Sequence, residues 1–255
     1  MGDLLSLGVM GIRGSFSEEA AIEYARDNNL GEVEIVELLN TEKVLRAVEA
    51  GEVDIGIFAL ENSNGGVVYE SVYAMAAHRF RVMDLFEIDV NHTLLIHPSL
   101  PGREGIERIA SHQQAIRQCR MWLRHHFPTT LVTEEPDTAE AARMLATGEL
   151  PTSTAVIAAE RCAELFGLRV LERRIQDLKF NFTTFVAASA VSGSSVTRVV
   201  GKWWRSHMRH WRMACWWEAI RSMLSRPGRV GWTSRVWLTS ISNRSITRNR
   251  WAAIA

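Results

Sequence analysis

Asp54-Ile55-Gly56-Ile57-Phe58-Ala59-Leu60 runs directly into Glu61-Asn62-Ser63-Asn64-Gly65-Gly66. A short apolar run closed by turn residues reads as a strand buried on both faces. The polar cluster behind it marks that strand's carboxyl end. Outward from this point, strands and helices alternate on both sides. On the amino-terminal side, 4–9 and 34–38 read as strands. Residues 17–28 read as a helix with Ala20, Ala21, Tyr24 and Ala25 on one face, and 41–50 as a helix capped by Asn40 or Thr41 and closed by Gly51. On the other side follow a helix over 67–78, strands over 80–87 and 92–97, and a loop over 98–105. Then come a strand at 106–110, a helix over 111–126, a strand at 130–133, helices over 138–147 and 155–166, and a return strand from 170. Alternation of this kind predicts an α/β fold with parallel sheets and helices on their faces. The segment up to residue 188 accommodates two lobes of roughly 80–90 residues, each viable when packed on the other. Ligands of such sheets bind at the carboxyl ends of strands, which points to a cleft between the lobes.

The net charge of zero conceals two unlike parts. Residues 1–188 carry 17 Lys and Arg against 28 Asp and Glu, a net of −11; residues 189–255 carry 12 against 1, a net of +11. All nine Phe precede Ser189, whereas eight of the nine Trp follow it. The acidic part argues against nucleic acid as a partner. Cys119, Cys162 and Cys215 are too widely spaced for a disulfide framework or a metal motif, and His92 and His97 lack metal-ligand spacing. Lone thiols without a secretory signal point to a reducing cytosol. No apolar run approaches about 18 residues, so no membrane partner is expected for 1–188.

Four constellations offer chemistry. Gly11-Ile12-Arg13-Gly14-Ser15-Phe16-Ser17-Glu18 follows the first strand, and Ser15 and Glu18 have capping-box spacing. The helix start behind them can take a carboxylate, although an ordinary strand-to-helix turn explains the glycines equally. Glu61, Asn62 and Ser63 offer polar side chains to a small ligand, while turn geometry accounts for Asn64, Gly65 and Gly66. Ser111, Gln114 and Gln118 fall at i, i+3 and i+7, a neutral hydrogen-bonding stripe if 111–126 is one helix capped by Ser111; a solvated face is the plainer alternative. In Asn181-Phe182-Thr183-Thr184-Phe185, a Thr183 hydroxyl held between aromatic rings can donate a proton or hydrogen bond to a leaving hydroxyl, or the stretch is simply a strand alternating Thr and Phe.

The order and spacing of these motifs, together with Thr138-Ala139-Glu140-Ala141-Ala142, resemble the prephenate dehydratase family over about residues 7–188. The resemblance implies a two-lobed fold like type II periplasmic binding proteins. Lobe one would hold 1–88 plus 172–188 and lobe two 89–171. It implies conversion of prephenate to phenylpyruvate in phenylalanine biosynthesis, a cytoplasmic location, a possible homodimer, and no cofactor or metal. Losing carbon dioxide and hydroxide together gains an aromatic ring, so the site has mainly to orient and polarise. Matched positions imply Thr183, Ser111, Gln118 and Asn62 as catalytic. Ser63, Glu61, Gly14, Ser15, Arg13, Asn181, Phe185 and Thr184 would bind substrate. Three positions depart from the family pattern: Thr184 replaces an arginine, and Ile12 and Gln113 each replace a proline. Arg13 is the candidate for a replacement charge. A non-aromatising prephenate decarboxylase and a carboxylate-binding module of the same fold remain open.

After Ser189 no Glu-Ser-Arg-Pro segment marks the phenylalanine-binding ACT domain that dehydratases of this family usually carry. Trp204, Met208, Trp211 and Cys215 recur at helical spacing with Arg205, Arg209 and Arg212 elsewhere, a basic amphipathic helix. Out-of-frame translation is the alternative source of so abrupt a Trp, Arg and Ser bias, and is the reading preferred here.

Overall fold

Two β-sheets carry the chain, which the computed structural model describes from residue 4 to residue 191. The readings of the segment beyond, including Cys215 and the basic helix, lie outside the described residues. The first sheet takes β1 (Leu5–Val9), β2 (Val33–Glu37), β3 (Ile55–Asn62), β4 (Gly66–Val67) and β5 (Arg81–Asp89). Between them run α1 (Phe16–Asp27), α2 (Thr41–Ala50) and α3 (Tyr69–Ala77). The second takes β6 (Thr93–Ile96), β7 (Arg108–Ser111), β8 (Leu131–Glu134), β9 (Thr154–Ala158) and β10 (Arg169–Glu172). Its helices are α4 (Gln113–Gln118), α5 (Arg120–His126), α6 (Thr138–Thr147) and α7 (Arg161–Phe166). The chain then returns to the first sheet as β11 (Phe182–Ser189). The result is a two-lobed α/β fold crossed twice by the chain, at about 89–93 and 173–181.

The return strand decides what can meet. In the first sheet the order is β2-β1-β3-β11-β5, with β1 parallel to β2 and β3, and β11 antiparallel to both β3 and β5. The second sheet, β10-β6-β9-β7-β8, is parallel only among β9, β7 and β8. Both sheets are therefore mixed rather than parallel. A strand arriving from the other lobe has no crossover helix to turn it round, so it enters antiparallel. Its first residues lie against the last residues of β3, and Thr183 pairs with Asn62.

Helix 155–166 is not found. Thr154–Ala158 is instead the central strand β9, buried along its whole length between β6 and β7, and only Arg161–Phe166 is helical. Periodicity cannot separate a fully buried strand from a buried helix. The single helix expected over 111–126 is likewise two. Ser111 ends β7, His112 is the N-cap, and the helix breaks at Cys119 (φ −109°, ψ 11°). Each sheet is sealed by aliphatic and aromatic side chains, among them Leu7, Ile57 and Phe185 in the first lobe and Leu94, Ile157 and Leu145 in the second. Full burial of each contributes roughly 1.5–3 kcal/mol.

His78, at the end of α3, is set between two carboxylates of α2. Its Nδ1 lies 2.9 Å from Glu49 Oε2, and its Nε2 makes an ion-pair contact of 2.9 Å with Glu42 Oε1 that lacks hydrogen-bond alignment. The bond to Glu49, then the nearby Glu42 carboxylate, raises the His78 pKa above 6.5, and the imidazole in turn lowers both carboxylates. The histidine's contribution is fully present below pH 6.5 and is lost as pH rises through its raised folded value. The carboxylates' share is present above their unfolded values and lost as pH falls through the lowered ones. His78→Gln should therefore flatten the fall in Tm expected as pH rises above 6.5, measured by thermal unfolding across that range.

Candidate functional site

The end of β3, the start of β11 and the carboxyl end of α4 converge on one network of carboxamides. Asn62 Nδ2 donates to Thr183 Oγ1 (2.9 Å) and to Asn181 Oδ1 (2.9 Å). Its Oδ1 accepts from the backbone N–H groups of Asn64 (3.0 Å) and Gly65 (2.7 Å) and from Gln118 Nε2 (3.0 Å). Gln118 belongs to the second lobe, so this bond crosses the junction. Asn181, fully buried, donates to Val90 O and to Gln118 Oε1, both at 3.0 Å. The antiparallel pairing of Thr183 with Asn62 makes the first-lobe half of this arrangement, and the kink at Cys119 directs Gln118 into it.

Local sequence explains these placements. The turn after β3 is an Asn-centred loop in which the side-chain oxygen of Asn62 replaces a backbone acceptor. Gly65 lets that loop approach α4: a Cβ there would collide with the Gln114 carboxamide. On the second crossing, Asp177 accepts from Met121 N and Trp122 N, both at 2.8 Å, and so caps α5, whose own N-cap Cys119 makes no side-chain bond. Its backbone N–H donates to Gln118 O at 2.7 Å. Asp177 thus anchors the residue that carries the amide. The sequence reading assigned no role at this site to Asp177 or to His92, which bonds Gln118 at 2.6 Å. Both act through a bend that only the folded chain contains.

Several other candidates make their contacts outside the carboxamide network. The expected stripe of Ser111, Gln114 and Gln118 does not form, because Ser111 is the last residue of β7. Its hydroxyl is fully buried and donates to Ile157 O at 2.6 Å. Ser63 exchanges hydrogen bonds with the Phe182 backbone and extends the ladder beside the site. Phe185 lies in the first-lobe core, stacked on Phe86 with ring centres 5.8 Å apart. Thr184 points to the face opposite Thr183, since successive strand side chains alternate, and its hydroxyl donates to Glu87 at 3.2 Å. Glu61 pairs with Thr184 in the ladder and so belongs to that other face. The position where the family has arginine is therefore on the reverse side of the sheet from the carboxamide network.

The turn before α1 forms a second contact across the junction. Gly14 has φ +87°, and a Cβ on it would come within 2.9 Å of Cys162 Sγ, which donates to Gly14 O (3.2 Å). Ser15 caps α1 by accepting from Glu18 N–H. The Glu18 carboxylate holds Gly14 N–H (2.7 Å) and Arg161 Nε (3.1 Å). Burial pushes the Cys162 thiol up to about 12, so it packs as a neutral group. Arg13 is exposed and makes no hydrogen bond or ion pair among the described residues. Among the described residues no group of three or more His, Cys, Asp or Glu could hold a metal, and no helix is long and apolar enough to cross a membrane.

A family model described as prephenate dehydratase matches residues 7–192. The chain is 29% identical over 182 residues to a bifunctional chorismate mutase/prephenate dehydratase of Stutzerimonas stutzeri, covering 71% of this chain and 48% of that protein. It is 33% identical over 187 residues to arogenate dehydratase 1 of Petunia hybrida, covering 72% and 42%. The chain thus spans about half the length of the curated relatives it matches. Among solved structures, a prephenate dehydratase from Arthrobacter aurescens in complex with L-Phe superposes with a TM-score of 0.68 at 26% identity, over 76% of this chain and 63% of that one.

Removing the Asp177 carboxylate withdraws two capping bonds from α5 and loosens the hold on Gln118. Asp177→Ala should cost about 1–2 kcal/mol in urea-induced unfolding. Asp177→Asn, which keeps one acceptor, should cost less.

Proposed function

The chain belongs to the prephenate dehydratase family, and on that premise we propose that it converts prephenate to phenylpyruvate, carbon dioxide and water. The reaction consumes one proton. The ring hydroxyl leaves as water when protonated, and the electrons of the breaking carbon–carboxylate bond enter the ring as carbon dioxide departs. Aromatisation supplies the driving force, so the protein has to orient the ring and protonate the departing oxygen.

The observation that carries this reading is the bonding state of Thr183. Its oxygen accepts from Asn62, and its own proton finds no acceptor among the described residues. A hydroxyl donates one hydrogen and accepts through two lone pairs, so filling a lone pair from Asn62 leaves the O–H free for an incoming oxygen. Thr183 is the donor to the leaving hydroxyl, Asn62 orients it, and Gln118 and Asn181 hold Asn62 in place. Arg13 supplies positive charge for a substrate carboxylate from the neighbouring turn, a role that its unpaired exposed guanidinium supports. The lobes are taken as 1–88 plus 172–188 and 89–171. The two sheets support this division. Assembly as a homodimer and a cytosolic location follow from the family alone.

Arogenate is the second substrate to consider, because the petunia relative named for it shares 33% identity over 72% of this chain. Incubation with each substrate, followed by product mass, separates the cases. Phenylpyruvate from prephenate supports the reading, phenylalanine from arogenate shifts the substrate, and a retained hydroxyl shows decarboxylation alone. Binding without turnover makes the chain a carboxylate receptor. In the active case Thr183→Val should lower kcat by about 10²- to 10⁴-fold, with Thr183→Ser retaining most of it. Arg13→Ala should chiefly raise KM; an unchanged KM would remove Arg13 from the site.

A further inference from the structure

His92 lies on the first crossing between the lobes and is 3% exposed. Its backbone is fixed at both ends: N–H donates to Gln176 Oε1 (3.1 Å), and the carbonyl accepts from Ile175 N–H (3.0 Å). The ring stands edge-on to Phe16, 5.5 Å between centres. Nε2 is 2.6 Å from Gln118 Oε1, whereas Nδ1 is buried without a partner.

Groups that cannot exchange roles fix the direction of every neighbouring amide. The backbone N–H groups of Asn64 and Gly65 only donate, so the Asn62 atom facing them is its oxygen. The Gln118 atom facing that oxygen must then be nitrogen. The Val90 carbonyl only accepts, so Asn181 presents nitrogen there and to Gln118. Gln118 Oε1 is left facing both Asn181 and His92, and His92 Nε2 must carry a proton. With no acceptor for a second proton at Nδ1, the ring is neutral, because a stranded buried N–H on a cation costs more than a bare lone pair. Burial acts in the same sense, lowering the affinity of the ring for a second proton.

We propose that His92 is a positioning residue of this site. Its Nε2–H holds the Gln118 oxygen, which keeps the Gln118 nitrogen on Asn62 and the Asn62 nitrogen on the Thr183 hydroxyl. This rests on the reading of Thr183 as donor. Without His92, Gln118 Oε1 retains one donor, Asn181, and its side chain regains rotational freedom. Because the ring belongs to a crossing segment and packs against Phe16 at the start of α1, the chain of amides is aligned when the lobes are docked.

The test compares His92→Leu, which keeps much of the volume without a donor, with His92→Gln, whose Nε2–H falls near that of the imidazole. Thermal unfolding checks that each full-length variant is folded. His92→Leu should lower kcat by roughly 10- to 100-fold with a much smaller change in KM, and His92→Gln should restore most of the loss. Independently of turnover, the ring nitrogen spectrum of the unaltered chain should show a protonated Nε2 and a bare Nδ1 at neutral pH. His92→Leu should also shift the side-chain NH₂ resonances of Asn62 and Gln118. Equal kcat in the two variants, a proton on Nδ1, or unmoved Asn62 and Gln118 resonances would overturn the proposal. If the unaltered chain turns over neither prephenate nor arogenate, the functional reading falls, and the spectra alone decide whether His92 holds the amides.

Discussion

The carboxamide of Asn62 is the constraint on which the rest depends. Two backbone N–H groups from its own loop hold its oxygen, so its nitrogen has no choice but to face Thr183 and Asn181. A free carboxamide can flip, and a flip here would set oxygen against the Asn181 oxygen and nitrogen against two N–H groups. A mismatch against the buried Asn181 oxygen costs on the order of 1–3 kcal/mol, and two lost loop bonds add to it, which selects a single orientation. The direction then passes outward to Gln118 and Asn181 because each has one partner that cannot reverse.

Neutral groups suit this position. Charged side chains at a closed junction would need pairing or would be desolvated at high cost, whereas amides satisfy one another in both directions. A charged contact across the junction is made at the turn before α1 instead, where Glu18 takes both Gly14 N–H and Arg161. Nearby, the thiol of Cys162 fills space that any Cβ on Gly14 would contest. The same division accounts for Thr184. With arginine replaced by threonine on the reverse face, the altered charge faces Glu87 rather than the amides. The departure from the family pattern is therefore separated from the proposed chemistry by the thickness of a sheet.

Much of the fold was legible in the sequence because local rules govern it. The apolar run of β3, the Ser15 and Asn40 caps and the closing Gly51 behaved as their residue types require. The misreadings fall where tertiary contacts override the local pattern. The Ala-Val-Ile-Ala run of β9 is buried on every side, and full burial erases the period that separates strand from helix. The break at Cys119 is imposed by Asp177, a residue 58 positions away, read as the difference of the two residue numbers. Ser111 fell out of its expected stripe because it ends β7, and α4 begins only at Gln113.

By itself the sequence determined which residue types could do the chemistry: a threonine between aromatic residues, and asparagine and glutamine in three separate motifs without a metal-binding pattern. Only the tertiary structure decided which of them meet. Asn62 and Thr183 are 121 residues apart, and Asn62 and Gln118 are 56 apart. They come together because the return strand enters antiparallel beside β3 and because α4 ends at the junction of the lobes. Spacing along a chain fixes faces within one helix or strand, but contact between elements depends on how the chain doubles back.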